Sequence, residues 1–189
     1  MTCIVGVIDG ASVVLGADSA GTMGHRLQIR TDKKVFRQGP YQVGFTTSFR
    51  MGQILRYHTE LPHPPENEAE LEPFMVKEVV TAVRHTFAEQ GFAKIGRFTD
   101  QNVTEEGQEL GGAFLVGVSG QLFEIQSDFQ VARLETPYAA IGHGAPIALG
   151  ALHALTSSAH LTPHERARRA LEAAETYSSS VRRPFHLVE

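Results

Sequence analysis

Residues 2–19 read Thr2-Cys3-Ile4-Val5-Gly6-Val7-Ile8-Asp9-Gly10-Ala11-Ser12-Val13-Val14-Leu15-Gly16-Ala17-Asp18-Ser19. Aliphatic, largely β-branched residues crowd both sides of an Asp-Gly turn signal, which predicts strands over 2–8 and 12–18 joined as a hairpin. Two registers fit. With Gly10-Ala11 as the turn, Asp9 faces Ser12 and Cys3 faces Asp18; with Asp9-Gly10, Cys3 faces Gly16 and Thr2 faces Ala17. Both set Asp18 beside the chain start on the neighbouring strand.

Working outward, 34–37 and 41–47 read as two further strands around Gly39-Pro40, and a helix begins at 49–58. Pro62, Pro64 and Pro65 end it with a loop. Val76, Val79, Val80, Val83 and Phe87 recur at helical spacing, predicting a helix over 74–87 that forms core or a subunit contact. Gly91 and the polar segment 97–109 separate it from a second group of strands at 113–118, 122–126 and 130–134. A helix follows at 146–155. Thr162-Pro163-His164-Glu165 then combines an N-cap Thr, Pro at the first helical position and a capping-box Glu. Residues 185–188 resemble a closing strand. The order of strands, two helices, strands, two helices and a strand predicts one α+β domain over 1–189. Two mainly antiparallel sheets stacked face to face with helix pairs outside would bury every apolar face.

Composition narrows the function. The 189 residues are 42% hydrophobic and 20% charged, as expected of a globular chain, with a net charge of -4. An acidic balance without a long basic run disfavours nucleic-acid binding. The single cysteine, Cys3, excludes an internal disulfide framework and a Cys-based zinc cluster, and fits a reducing, cytoplasmic compartment. No basic leader precedes the first strand. Residues 136–164 carry no Asp, Glu, Lys or Arg, but their prolines and histidines interrupt any run near the roughly 20 apolar residues of a membrane span. His160 and His164 are four apart, yet Thr162 and Pro163 intervene, so a solvated loop is the better reading than zinc.

The chemistry gathers at the beginning of the chain. Initiator methionine is commonly removed before a residue as small as Thr, leaving Thr2 with a free α-amine. That amine titrates at about 7.7–8.0, so it is partly neutral at cellular pH and can take the proton of its own residue's hydroxyl. A carboxylate at Asp18 is placed to orient an ammonium or hydroxyl there.

Thr2-Cys3-Ile4-Val5-Gly6-Val7, then Val13-Val14-Leu15-Gly16-Ala17-Asp18-Ser19, then Lys33-Lys34-Val35 resemble the proteasome β-subunit and bacterial HslV peptidase family. The likeness resumes at Ala140-Ile141-Gly142-His143-Gly144 and Tyr177-Ser178-Ser179-Ser180. The resemblance implies the N-terminal nucleophile hydrolase fold, a four-layer αββα sandwich, and a threonine-type endopeptidase without a cofactor. Thr2 would be nucleophile and base, Lys34 would lower the hydroxyl's pKa, and Asp18 would hold Lys34 charged. The backbone N–H of Ser48 takes the place of the family's glycine as oxyanion donor. Gly21 and Thr22 would pair with an extended substrate.

Where the family usually has a Ser, this chain has His143, read either as a proton relay or as a cap on the following helix. Glu175 stands for a supporting Asp, Ser178 matches a supporting Ser, and Ala20 replaces an Arg. Thr46, Arg50 and Asp32 fall at pocket positions, Arg50 hinting at acidic substrate side chains unless Asp32 neutralises it. Backbone carbonyls around Glu172, Glu175 and Ser178 fall where relatives can hold a cation. The implied partners are unfolded polypeptide or peptide substrate, further copies in a homo-oligomeric ring, and an ATP-dependent unfoldase. A small-amide hydrolase or acyl transferase, or a noncatalytic assembly protein, are the alternatives.

Overall fold

The hairpin that decides the sequence reading takes the Gly10-Ala11 turn. In the computed structural model, which describes residues 2–23, 25–92, 112–158 and 160–189, β1 (Ile4–Asp9) and β2 (Ser12–Ala17) pair antiparallel with Asp9 opposite Ser12 and Ile4 opposite Ala17. Gly10 sits at φ 59°, the positive value a two-residue hairpin turn requires. The pairing runs on to the chain start, where the Asp18 N–H donates to the Cys3 carbonyl at 3.3 Å.

Along the chain follow β3 (Ala20–Met23), β4 (Arg26–Ile29), β5 (Val35–Gln38) and β6 (Tyr41–Phe45), then α1 (Phe49–Tyr57). Next come α2 (Glu68–Phe74), a π-helical turn at Met75–Val79 and α3 (Val80–Glu89). The second half holds β7 (Phe114–Val118), β8 (Gln121–Ile125), β9 (Val131–Arg133), β10 (Tyr138–Ile141), α4 (Ala145–Leu155), α5 (Pro163–Tyr177) and β11 (His186–Val188). One sheet has the order β10-β1-β2-β11, the other β5-β6-β7-β8-β9, and β3-β4 form a separate two-stranded ribbon. Every strand pair among the described residues is antiparallel.

Alternation along β1 explains the layering. Cys3, Val5 and Val7 point to α4 and α5, packing with Leu152, Ala167 and Leu171 and with Val181 of the segment after α5. Ile4 points the other way and meets Leu15, Val35, Leu115 and Ile141 between the two sheets. A third apolar layer lies between β5–β9 and the first helices, built on Phe45, Met51, Ile54, Val83, Phe87 and Phe123. Three apolar layers between four layers of structure make an αββα sandwich. Each fully buried aliphatic side chain contributes about 1.5–3 kcal/mol of transfer free energy. The sheets approach closely because Gly44 and Gly117 lack side chains: a Cβ on either would lie 2.6 Å from Ile4 or Val13 respectively.

Several boundaries differ from expectation. The ribbon β3–β4 was not anticipated, because Arg26–Ile29 is exposed throughout and offers no buried alternation. Strand β10 is Tyr-Ala-Ala-Ile, its β signal diluted by two alanines, and is held by pairing with β1 through Ile4↔Ile141 to Val7↔Tyr138. The helix expected from residue 74 starts at Glu68, after Asn67 caps it by accepting from the Ala69 N–H at 3.1 Å. Pro73 lacks an N–H and the next turn widens to π geometry. The capping box at Thr162 forms as read: the Glu165 N–H donates to Thr162 Oγ1 at 3.2 Å and the Thr162 N–H to Glu165 Oε2 at 2.8 Å. Segment 97–109 lies outside the described residues.

Candidate active site

Asp18 organises the beginning of the chain. Its Oδ1 accepts from the Cys3 N–H at 3.0 Å and from Lys34 Nζ at 2.8 Å. Its Oδ2 accepts from the N–H groups of Ala20 at 2.9 Å and Arg182 at 3.3 Å. The carboxylate thus joins β1, the start of β3, the approach to β5 and the C-terminal segment. Lys34 is 1% exposed and lies 5.9 Å from the centroid of the Phe49 ring. Burial pulls its pKa below the ordinary lysine range; the charge and hydrogen bond of Asp18 oppose that shift, as do Cys3 and Asp32.

Thr2 precedes β1 and is 3% exposed. Its backbone is gripped by the turn between β10 and α4. The Gly144 N–H donates to the Thr2 carbonyl at 3.1 Å. Gly142, at φ 93°, lies so close that a Cβ there would be 2.5 Å from the Thr2 oxygen. Between these glycines His143 is exposed to solvent. It does not cap α4: the N-cap is Gly144, with no side-chain cap bond. Cys3 is fully buried, and burial together with the Asp18 charge pushes its thiol up to about 12.

The wall opposite is the β6–α1 corner. Thr46 is buried, its Oγ1 accepting from the Ala113 N–H at 3.0 Å, and its methyl would be 3.3 Å from a Cβ on Gly142. Ser48 caps α1, its Oγ accepting from the Met51 N–H at 3.2 Å. The Ser48 backbone N–H donates to the Thr46 carbonyl at 2.8 Å across Thr47, which sits at φ 68°. That is a γ-turn with a non-glycine residue in the left-handed region, a strained arrangement of the kind that gathers at functional sites. Gly21 is buried and Thr22 half-buried on β3, whose second edge pairs with no strand among the described residues. Arg50 is exposed on the first turn of α1.

The other expected residues have partners of their own. Glu175 faces Arg183, accepting its N–H at 2.9 Å and its Nε at 2.8 Å, so this carboxylate fastens the C-terminal segment. Ser178 is buried, with its hydroxyl 2.9 Å from that of Ser180. The Ser178 carbonyl, a candidate cation ligand, holds Arg182 Nη1 at 2.9 Å, and Thr176 Oγ1 donates to the Glu172 carbonyl at 2.9 Å. Among the described residues no cluster of three His, Cys, Asp or Glu side chains suits a metal ion. His164 lies 3.8 Å from Glu189 rather than in a histidine pair. Asp32 is taken by Arg30.

Sequence reasoning missed Ser19, Ser180 and Arg182. The Ser19 N–H donates to the Arg182 carbonyl at 2.8 Å and Ser19 Oγ to the Pro184 carbonyl at 2.6 Å, tying the residue after Asp18 to the C-terminal segment. The Asp18-Ser19 pair and the Ser178-Ser179-Ser180 run were the available signals.

Thr2 lies buried just before β1, next to Cys3, whose N–H binds the buried Lys34–Asp18 pair, and the αββα sandwich around them is the fold of the N-terminal nucleophile hydrolases. The chain shares this fold with HslV. It is similar to Thiobacillus denitrificans BPH, both alone and in complex with epoxomicin, at 19% identity and TM-score 0.71 over 98% of this chain and 96% of that one. It is similar also to eukaryotic HslV from Trypanosoma brucei, at 19% identity and TM-score 0.69 over 98% and 97% of the two chains. The chain matches no protein-family model and no curated protein.

Proposed function

We propose that the chain is a proteasome-like threonine peptidase in which Thr2, after loss of Met1, hydrolyses peptide bonds. The observation that carries this reading is the 2.8 Å Lys34–Asp18 pair, sealed from solvent and hydrogen-bonded to the N–H of the residue next to Thr2. Burying two charges costs several kcal/mol per ion before their attraction is counted, so a pair placed here supports a chemical rather than a packing role.

On this reading the Thr2 α-amine takes the hydroxyl proton and Oγ attacks the carbonyl carbon of the scissile amide. The Lys34 ammonium stabilises the developing alkoxide. The Ser48 N–H leaves the Thr46 carbonyl and donates to the oxyanion, a contribution typically worth about 2.7–4 kcal/mol. Collapse expels the amine, which takes the proton from the α-ammonium and leaves a Thr2 ester. Water, deprotonated by the freed α-amine, attacks that ester; the acid product departs and Oγ is reprotonated. His143, on the turn that grips the Thr2 carbonyl, serves as the proton relay to solvent. Ser178 supports the site through Ser180 and the 178–184 segment, and Glu175 does so by fastening Arg183.

The substrate lies as an added strand along Gly21 and Thr22, with its side chains toward Thr46 and Arg50. No described helix is long and apolar enough to cross a membrane. A cytoplasmic homo-oligomeric ring that restricts access to Thr2, fed with unfolded polypeptide by an ATP-dependent unfoldase, completes the proposal.

The test compares hydrolysis of unfolded casein and of short capped peptide amides by the mature protein and by Thr2→Ala and Thr2→Ser. Turnover of both substrates, lost in Thr2→Ala and partly kept in Thr2→Ser, is expected. Hydrolysis of small amides alone would assign a small-amide hydrolase, and none at all in any protein would assign a noncatalytic assembly role.

A further inference from the structure

Arg30 and Asp32, between β4 and β5, meet at the edge of the site. Arg30 Nε and Nη2 donate to the two oxygens of Asp32 at 2.7 and 2.6 Å, a fork-to-fork pair. The guanidinium lies 3.8 Å from the centroid of the Phe49 ring, the same ring that stands 5.9 Å from Lys34 Nζ. The Arg30 N–H donates to the Ser19 carbonyl at 2.9 Å, fixing this residue against the one that follows Asp18. Its methylene stem covers Gly21: a Cβ there would be 2.6 Å from Arg30 Cδ and 3.4 Å from Phe49 Cε2. The paired side chains remain 33% and 34% exposed, so this wall borders open space.

The wall has shape but no net charge. Arg30 holds the Asp32 carboxyl below its usual range, and Asp32 raises the guanidinium, so both stay ionised through neutral pH. The structure thereby separates Asp32 from the role of neutralising Arg50. An extended peptide added to the open edge of β3 alternates its side chains between the two faces. A side chain beside Gly21 on the Arg30 face meets the stem and the aromatic ring.

We propose that Arg30, locked by Asp32 onto Phe49, is the specificity-determining wall of the nucleophile cleft, restricting the acyl-side residue nearest the scissile bond to a small side chain. The inference rests on the peptidase reading and deepens it. A larger side chain must displace Arg30, breaking both its fork to Asp32 and its stack on Phe49.

The experiment measures kcat/KM of the mature protein on capped peptidyl-aminocoumarins that differ only in carrying Ala, Leu or Phe at that position. Wild type is expected to favour Ala over Phe by about tenfold or more, the scale on which pocket misfit discriminates. Arg30→Ala is expected to raise turnover of the Phe substrate relative to the Ala substrate and so shrink the ratio. Asp32→Asn unlocks the arginine without removing it and moves the ratio the same way by less; it also keeps the test decisive should Arg30→Ala fail to fold. A wild type that prefers Phe, or variants that lose activity equally on all three substrates, overturns the inference while leaving the peptidase reading intact. No turnover by any protein overturns that reading and the inference with it.

Discussion

Lys34 and Asp18 pair at 2.8 Å with side chains 1% and 0% exposed, and the same Asp18 oxygen binds the N–H of Cys3. One atom therefore fixes the ammonium and the backbone beside Thr2 at once. Removing either partner leaves a buried charge without its counterion, whereas removing both leaves none. Asp18→Asn is expected to destabilise the fold by about 3–5 kcal/mol. Asp18→Asn combined with Lys34→Met should cost less than the two single changes added together. Urea denaturation of the three variants checks this, and all three should lack peptidase activity.

Activity should fail early on the alkaline side. In the proposed mechanism Lys34 acts while charged, and burial sets its pKa below that of an ordinary lysine, so the proton leaves at lower pH than from a solvated side chain. Asp32 is one of the charges that raise it, so Asp32→Asn should move the alkaline limb of kcat/KM to still lower pH. A limb that stays put in that variant would show that Asp32 does not reach Lys34.

Two glycines should part company. Gly142→Ala places a methyl 2.5 Å from the Thr2 carbonyl on backbone at φ 93°, and is expected to reduce kcat/KM by about 10²-fold, the scale for slight misplacement of reacting groups. Gly150, exposed within α4, has nothing within 4 Å of an added Cβ. Gly150→Ala should stabilise the protein by up to about 1 kcal/mol with activity unchanged. Thermal unfolding and turnover measured side by side separate the two effects.

Cys3 should be silent. A fully buried thiol pushed up to about 12 has almost no thiolate at pH 8, so maleimide labelling of the native protein should wait on unfolding. Labelling as fast as that of free cysteine would contradict the burial of the chain start against α4 and α5.

Much of this was legible because β1 and β2 are near-continuous aliphatic runs, as strands buried on both faces are, set around an Asp-Gly signal. Those runs left two registers open, and they were separated only by the turn at Gly10 and by the contact of Cys3 with Asp18. Lys34 was legible only through resemblance, since nothing local in Asp32-Lys33-Lys34 says which lysine turns inward. Glu175 was placed at a supporting position but faces Arg183, because its partner depends on how the 178–184 segment returns across Asp18, a long-range path with no local signature. The γ-turn at Thr46–Ser48 was equally hidden, as Thr47 has no conventional left-handed signal.

The central requirement is a free α-amine on Thr2. Its most direct test is the intact mass of the protein purified from its native host, before and after incubation with a peptide epoxyketone. The expected mass is that of the encoded chain less one methionine, rising by one inhibitor in wild type and not in Thr2→Ala. A chain of full encoded mass that takes up no inhibitor would contradict threonine catalysis outright.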